Sequence, residues 1–226
     1  MIGIKQKLQS VRERIDAAAM RAGRSGKDVA LVAVTKGASA AAIAEAREAG
    51  LMVFAENKVQ EALLKIPEAG AGCQWHMIGH LQSNKVKAAV SLFEMIQSVD
   101  SVRLAEKIGE EALAAGKTMP ILLEVNVSGE AQKYGFKPEA IYSAVEEVAA
   151  LPGVRVSGLM GMAPFVEDAS LKRESFRMLK NIFGVCKSLK RENVEMKHLS
   201  MGMSDDFEIA VEEGSNMVRL GRILFR

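Results

Sequence analysis

Eight short apolar segments alternate along this chain with segments of helical periodicity, and this alternation constrains the fold more than any other feature. A continuous apolar run such as 29–34 is typical of a strand buried on both faces of a parallel sheet. Strands that alternate with helices form parallel sheets, and eight of them close a (β/α)8 barrel. A helix from Ile4 to about Met20 precedes the repeat. The predicted strands are 29–34, 52–54, 74–78, 93–98, 120–127, 154–160, 195–200 and 216–221.

An open, doubly wound sheet is the competing architecture. It usually carries a glycine-rich phosphate-binding turn after the first strand. Residues 35–39 read Thr-Lys-Gly-Ala-Ser, which lacks the GxGxxG spacing. Neither a linker nor a low-complexity segment divides the 226 residues, and α/β barrels of this length are commonly single domains. We therefore predict an α/β fold: one (β/α)8 TIM-type barrel over 1–226, with an extra N-terminal helix.

Composition argues against several classes of function. With 30 basic and 28 acidic residues, the formal net charge of +2 gives no electrostatic reason to expect nucleic-acid or membrane binding. Cys73 and Cys186 form no CxxC pair, and no His/Asp/Glu cluster has the spacing of a metal site. No apolar run reaches the about 18 residues of a membrane span, and the first residues lack the apolar core of a signal peptide. These features predict a cytoplasmic protein without a metal centre.

Barrel active sites lie at the carboxyl ends of the strands, and Lys36 follows the first strand. Spacing alone leaves two interpretations open. A lysine at the rim can simply extend its ammonium group into solvent. Alternatively, burial that disfavours the charged form makes its amine a nucleophile suited to Schiff-base formation.

The loops after strands seven and eight form the usual phosphate site of this fold. In the segment Ser-Met-Gly-Met-Ser-Asp after strand seven, Ser200 and Ser204 offer hydroxyl groups, and Gly202 permits close approach of the backbone. A helix that begins at Asp205 would present free N–H groups, and Gly221 adds a second bare backbone segment. The alternative is an ordinary capped turn. We favour the phosphate site.

The remaining polar candidates are less decisive. Arg219, on the last strand, points either inward toward a ligand ring or outward as surface charge. His76 and His198 lie within predicted strands and are expected to be satisfied interior or helix-facing residues, whereas His80 lies in a loop and can approach a ligand. Two Met-Gly-Met segments at adjacent strand ends are suited to wall a flat apolar ring.

Five segments carry a resemblance to a known family. They are 32–36 (VAVTK), 76–85 (HMIGHLQSNK), 159–164 (LMGMAP), 200–205 (SMGMSD) and 214–221 (GSNMVRLG). Together they resemble the pyridoxal phosphate homeostasis protein family, which includes the bacterial YggS proteins and the eukaryotic proline synthase co-transcribed homologue. The match runs from the first helix to the last strand, and the VTK, IGxLQxNK and SMGMSxD segments in this order are highly specific.

The resemblance implies a cofactor and a set of residues that bind it. The family is similar in fold to the barrel domain of alanine racemase and holds pyridoxal 5′-phosphate (PLP) on the strand-one lysine, so Lys36 would form the Schiff base. Arg219 would face the pyridine nitrogen and keep it unprotonated, since a cation opposes a second positive charge; the ring is then a weaker electron sink. The other implied cofactor-binding residues are Ser200, Met201, Gly202, Ser204 and Gly221 around the phosphate, with Asn57 and Asn84 along the pocket.

Four positions depart from the family pattern. Ala55 and Lys58 stand where the family usually has a glycine and a tyrosine, and Gly161 stands where it has a threonine. Arg222 occupies the position of a threonine that commonly assists the phosphate. Arg222 either adds charge beside the phosphate or points away, and the sequence leaves this open.

Two classes of function follow. In the first, the chain binds PLP without catalysis, as a monomer that stores, buffers or delivers the cofactor, with PLP-dependent apoenzymes as recipients. In the second, it is an amino-acid racemase, which needs acid/base groups on both faces of the substrate Cα. In alanine racemases the second base is a tyrosine from a separate β-domain, whereas Tyr134 and Tyr142 here lie around the helix after strand five. We therefore favour the binder, with no catalytic residues. A Schiff-base aldolase is a third option, but it would not retain a phosphorylated pyridine.

Overall fold

A parallel barrel forms the centre of the molecule. The structure, a computed structural model, describes residues 3–130 and 132–226. Its strands are β1 (Ala30–Val34), β2 (Val53–Glu56), β3 (Gln74–Met77), β4 (Met95–Val99), β5 (Met119–Val125), β6 (Val154–Gly161), β7 (Val194–Ser200) and β8 (Met217–Leu220). They pair in chain order, and β8 closes the barrel on β1. This confirms the predicted (β/α)8 barrel, with strand ends that differ from the predicted ones by one or two residues. Because the strands follow chain order and β8 closes the sheet on β1, the open, doubly wound alternative is excluded.

Helices cover the outside of the barrel. They are α1 (Ile4–Arg21), α2 (Ala40–Glu48), α3 (Val59–Ala69), α4 (Val86–Leu92), α5 (Val102–Ala114), α6 (Ile141–Ala149), α7 (Ala169–Lys187), α8 (Phe207–Glu212) and α9 (Arg222–Phe225). The sequence did not predict α9, because four residues are too few to display a helical period. Within the described ranges, no helix combines the length and the apolar character needed to cross a bilayer.

The N-terminal helix α1 ties the first and last repeats together. Its predicted apolar stripe of Ile4, Leu8, Val11 and Ile15 is buried. The helix packs against α2, α8 and α9. On its polar side, Arg14 donates two hydrogen bonds to the Glu208 carboxylate, at 3.1 and 2.8 Å. The extra helix is thus a structural element that stabilises the side of the barrel where β1 meets β8.

The direction of the side chains follows from the strand register. Alternate residues of a strand face opposite sides of the sheet. Ala33 packs in the main apolar cluster beneath the helices, so its neighbour Val32 faces the barrel interior. Arg219 pairs in register with Val32 and therefore also faces inward, which decides the question that the pattern left open. Two small apolar clusters fill the interior: Val32, Ala55 and Met217, and Met95, Leu122 and Met160.

Gly158 sets the register between β6 and its neighbours, where the pairing shifts. Its φ is +149°, and a Cβ there would lie 1.9 Å from the backbone oxygen of His198. We expect Gly158→Ala to lower the free energy of unfolding by about 3 kcal/mol, because neither backbone can yield without breaking strand pairs. Gly184→Ala, on the exposed side of the last turn of α7 with nothing within 4 Å of its added Cβ, should instead raise it by about 0.5 kcal/mol. Urea denaturation of both variants measures the two changes in free energy of unfolding, which should have opposite signs. Equal changes would contradict the close backbone contact assigned to Gly158.

Candidate functional site

A cavity of about 310 Å³ opens at the carboxyl ends of the strands, as expected for this fold. Lys36, Asn57, Ser204, Arg219 and Gly221 line it together. Its volume falls within the range of pockets that hold small organic ligands. The barrel therefore brings five of the predicted cofactor residues to one place, although they are far apart in sequence.

Lys36 projects from a tight turn that follows β1. Ala38 N donates to Thr35 O at 2.9 Å, and Gly37 takes the positive φ of +73° at the third position of the turn, which favours glycine. This places Lys36 at the second position, at the cavity wall. Its side chain is exposed, so the burial that we considered as a source of nucleophilicity is not present in this structure. Among the described residues, no hydrogen bond or ion pair engages its amino group, so the amine is accessible to a ligand.

A buried ion pair fixes the backbone on which Lys36 stands. Glu56, at the end of β2, is fully buried, and its Oε1 accepts from Thr35 Oγ1 at 2.5 Å and from Lys65 Nζ at 2.6 Å. Lys65, from α3, also donates to the Thr35 carbonyl oxygen at 2.8 Å. The residue before Lys36 is therefore held by both its side chain and its carbonyl group.

Hydroxyl, backbone and cationic groups lie on the side of the cavity formed after β7 and β8. Ser204 Oγ accepts from the backbone N of Ile223 at 3.4 Å. Arg222 lines the cavity and forms an ion pair with Asp205. Arg222 is thus one of the residues at the cavity, and Asp205 balances part of its charge.

One detail of the predicted phosphate loop is wrong. The helix α8 begins at Phe207 and not at Asp205, and the backbone N–H groups of Asp206 and Phe207 donate to Met203 O at 3.1 and 2.8 Å. They are therefore not free for a ligand. Gly202, with φ of +97°, is required by helix packing, because a Cβ there would lie 2.6 Å from the Cβ of Ala210.

Three further predicted residues lie away from the cavity. Ser200 and Met201 are completely buried in the structure. The Ser200 hydroxyl is engaged with Arg219 and Gln97 in the barrel interior, since Ser200 faces inward one layer below the loop. Asn84 is exposed on a 3-10 turn after β3 and is not among the residues that line the cavity. The geometry thus favours Ser204 over Ser200 as the hydroxyl that faces a ligand.

Arg219 forms the floor of the cavity. It is 4% exposed, its Nη1 donates to Ser200 Oγ at 2.7 Å, and its Nη2 donates to Gly161 O at 3.0 Å. Burial lowers the pKa of Arg219 to about 10, and the nearby Glu124 opposes this shift. At neutral pH the floor therefore carries a fixed, desolvated cation.

Glu124, on β5, is a buried carboxyl group below the cavity. Burial raises its pKa from 4.5 to about 7, although Arg219 acts in the opposite direction. The native state therefore binds this proton more tightly than the unfolded chain, and stability is lost as the pH rises from about 4.5 to 7. Glu124→Gln removes this dependence. Relative to wild type, we expect the variant to gain about 3 kcal/mol in free energy of unfolding between pH 4.5 and 8. Denaturant titrations of both proteins across this pH range measure the difference. If the free energies of unfolding of wild type and variant change in parallel with pH, the raised pKa of Glu124 is contradicted.

His76 lies in the barrel interior, as predicted, while His198 is partly buried on β7 and His80 lies in a loop. His76 is buried and hydrogen-bonded to Gln97, and burial lowers its pKa to about 4. His80 contacts Asp100 at 2.9 Å and stacks on Tyr134 with ring centroids 3.8 Å apart; it does not line the main cavity. In the described part of the chain, no group of three or more His, Cys, Asp or Glu is placed to bind a metal ion.

Sequence reasoning missed four polar residues that support the site. Glu56, Lys65, Gln97 and Glu124 lie outside the predicted set of cofactor-binding residues. Polar residues at inward-facing strand positions, such as Gln97 and Glu124, are a signal that could have found the interior pair. Lys65 gives no such signal, because it looks like any lysine on a surface helix.

Comparison with known proteins places these features in a family. The family model described as alanine racemase, N-terminal domain, matches residues 6–226. A pyridoxal phosphate homeostasis protein of Aquifex aeolicus (strain VF5) is 40% identical over 97% of this chain and 96% of its own length. The chain belongs to the pyridoxal phosphate homeostasis protein family. The predicted resemblance is therefore confirmed, including its relation to the alanine racemase barrel.

Solved structures agree with this assignment. PipY of Synechococcus elongatus PCC7942, determined with PLP bound, has a TM-score of 0.85 and 33% identity, and the match covers 99% of this chain and all (100%) of that one. An alanine racemase of Clostridium difficile 630 has a TM-score of 0.70 at 17% identity, which shows the shared fold alone. The match covers 87% of the family member described here but only 52% of the racemase chain.

Proposed function

We propose that this protein binds PLP, holds it as a Schiff base on Lys36, and serves in PLP homeostasis by storage, buffering or delivery rather than by turnover. The observation that carries the proposal is the pairing of an accessible lysine amine with a fixed cation across one cavity of about 310 Å³. The family membership and the PLP-bound relative support the same ligand.

The side chains present fit the chemical groups of this cofactor. PLP supplies an aldehyde that condenses reversibly with a primary amine, with loss of one water molecule. Lys36 provides the amine, and the side of the cavity with Ser204, Gly221 and Arg222 provides a hydroxyl group, an open backbone and a cation for a phosphate. Asn57 also lines the cavity. Its Oδ1 is buried and has no hydrogen-bond partner among the described residues, so this acceptor is available to a ligand.

Arg219 is expected to limit carbanion chemistry. We infer that its guanidinium donates to the ring nitrogen and disfavours protonation there, because a second cation beside a buried guanidinium is repelled. A ring without that proton withdraws electrons less strongly. This favours holding the cofactor over using it.

The structure places neither tyrosine of this chain where the racemase alternative would need its second acid/base group. Racemisation needs one such group on each face of the substrate Cα. Tyr134 stacks on His80 outside the main cavity, and Tyr142 lies on α6. The racemase chain compared above extends well beyond the shared barrel, whereas this chain matches its homeostasis relatives over nearly their whole length.

Borohydride trapping tests the proposal directly. The wild-type protein is incubated with PLP, reduced, digested and analysed by mass spectrometry. We expect a single phosphopyridoxyl adduct, on Lys36, because this is the lysine that lines the cavity. Lys58, exposed and paired with Glu61 at 3.7 Å, provides an internal comparison. Absence of any adduct, or adducts spread over surface lysines, would overturn the proposal.

A further inference from the structure

A chain of hydrogen bonds crosses the barrel interior below the cavity. Arg219 Nη1 donates to Ser200 Oγ at 2.7 Å, and Ser200 Oγ donates to Gln97 Oε1 at 2.7 Å. Gln97 Nε2 lies 2.8 Å from His76 Nδ1. None of the four side chains is more than 5% exposed. These hydrogen bonds therefore link β8, β7, β4 and β3 in a part of the barrel that bulk water does not reach.

The donor and acceptor groups at its two ends fix the direction in which this series of hydrogen bonds runs. A guanidinium has only donors, so Ser200 must accept from Arg219 and is left with its own proton to donate. The Gln97 carbonyl oxygen accepts that proton, and the Gln97 amide then donates to an unprotonated Nδ1 of His76. If the amide were reversed, the Ser200 proton would face N–H groups only, which is costly in a buried site. Burial, which lowers the pKa of His76, favours the neutral ring that this direction requires.

The same contacts leave part of Arg219 available to the cavity. A guanidinium has five N–H groups, and Ser200 and Gly161 each take one. Arg219 nevertheless lines the cavity. Its plane is thus fixed from below by two acceptors, while its remaining donors can face a ligand.

We propose that Gln97 is a positioning residue: through Ser200 it fixes the guanidinium of Arg219 at the cavity floor as a donor that selects a ring nitrogen free of a proton. The ligand part of this inference rests on the proposed function, whereas the orientation of Arg219 concerns the protein alone. Gln97 would not touch the ligand. Its effect would be to hold Arg219 in one orientation before the ligand arrives.

The unliganded protein provides the first test, by nitrogen-15 NMR of labelled histidine and arginine side chains. In the wild type, we expect neutral His76 with its proton on Nε2 and a slowly rotating Arg219 guanidinium. Gln97→Glu replaces the amide donor by an acceptor, so the His76 proton should move to Nδ1. In Gln97→Leu, the slow rotation of Arg219 should be lost. A wild-type His76 that carries its proton on Nδ1 overturns the proposal, even if no variant folds.

The second test uses the borohydride-reduced adduct, in which the ring cannot dissociate. Absorbance titration measures the pKa of its ring nitrogen in the wild type and in Gln97→Leu. We expect that pKa to rise by about one unit in the variant, because a mobile guanidinium opposes protonation less strongly. Met95→Leu changes an apolar residue on the same face of β4 and should leave it unchanged. An unchanged ring pKa in Gln97→Leu, or an equal rise in Met95→Leu, contradicts a positioning role.

The two proposals fail in different ways. If the proposed function is wrong, no adduct forms on Lys36. The NMR measurements on Arg219 and His76 still test the positioning role of Gln97, because they use the unliganded protein. If the positioning role of Gln97 is wrong, His76 carries its proton on Nδ1, or the pKa of the ring nitrogen is the same in Gln97→Leu as in the wild type. The adduct on Lys36 forms in either case.

Discussion

Lys36→Ala is expected to abolish the visible absorbance of PLP bound to this protein and the adduct trapped by borohydride. The variant removes the amine that lines the cavity next to β1, and without it the proposed Schiff base cannot form. Because the side chain is exposed, the free energy of unfolding should change by no more than about 0.5 kcal/mol. Absorbance, trapping and circular dichroism on the same sample separate loss of the cofactor from loss of the fold.

Lys58→Ala is the matched control for this experiment. Lys58 also follows a barrel strand, but it is exposed and paired with Glu61. The control should keep both the absorbance and the adduct on Lys36. Retained absorbance in a folded Lys36→Ala protein, or its loss in Lys58→Ala, would show that the anchor lies elsewhere.

Lys65→Met is expected to destabilise the fold by about 3–5 kcal/mol, because it leaves the Glu56 carboxylate buried without its cation. The Glu56 side chain is 0% exposed and that of Lys65 is 15% exposed. Thr35 would lose the Lys65 contact to its carbonyl oxygen, so the turn that presents Lys36 should loosen as well. Urea denaturation gives the change in stability, and the rate of adduct formation reports on the turn.

Two comparisons make the Lys65 result specific. Lys107→Met breaks exposed pairs with Glu110 and Glu111 and should leave the free energy of unfolding nearly unchanged, because solvent screens such pairs. Adding Glu56→Gln to Lys65→Met removes the unpaired charge and should recover about 1–2 kcal/mol. Similar losses for the Lys65 and Lys107 variants would mean that the buried pair contributes no more than a surface pair.

The sequence was sufficient to predict the barrel and the position of Lys36 at the end of its first strand. The eight strands are detectable because a strand covered on both faces must be apolar along its length, and this local property survives in the sequence. The turn after β1 is also local, since Gly37 supplies the positive φ that its third position needs. Motif resemblance then indicated the family, because the segments at several strand ends occur together.

The sequence could not separate the two serines of the β7 loop. Ser200 and Ser204 look equivalent in a polar, glycine-containing segment, yet the first is buried beneath Arg219 and the second lines the cavity. The sequence also could not show that the packing of α8 requires a glycine at position 202, where a Cβ would lie 2.6 Å from the Cβ of Ala210. The direction of a side chain at a strand end depends on the residue at which the strand ends and the next helix begins. The sequence predicts these boundaries only to within one or two residues.

The sequence by itself therefore determined the order of strands and helices, the barrel class and the lysine at the first strand end, all of which follow from interactions between residues near one another in the chain. The tertiary structure alone decided that Lys65 pairs with Glu56, that Arg219 faces inward, and that His76, Gln97 and Ser200 share one hydrogen-bond chain. The physical reason is that these partners lie on different strands and helices. Only barrel closure and strand register bring their polar atoms within hydrogen-bond distance in a dry interior, where each must find a partner.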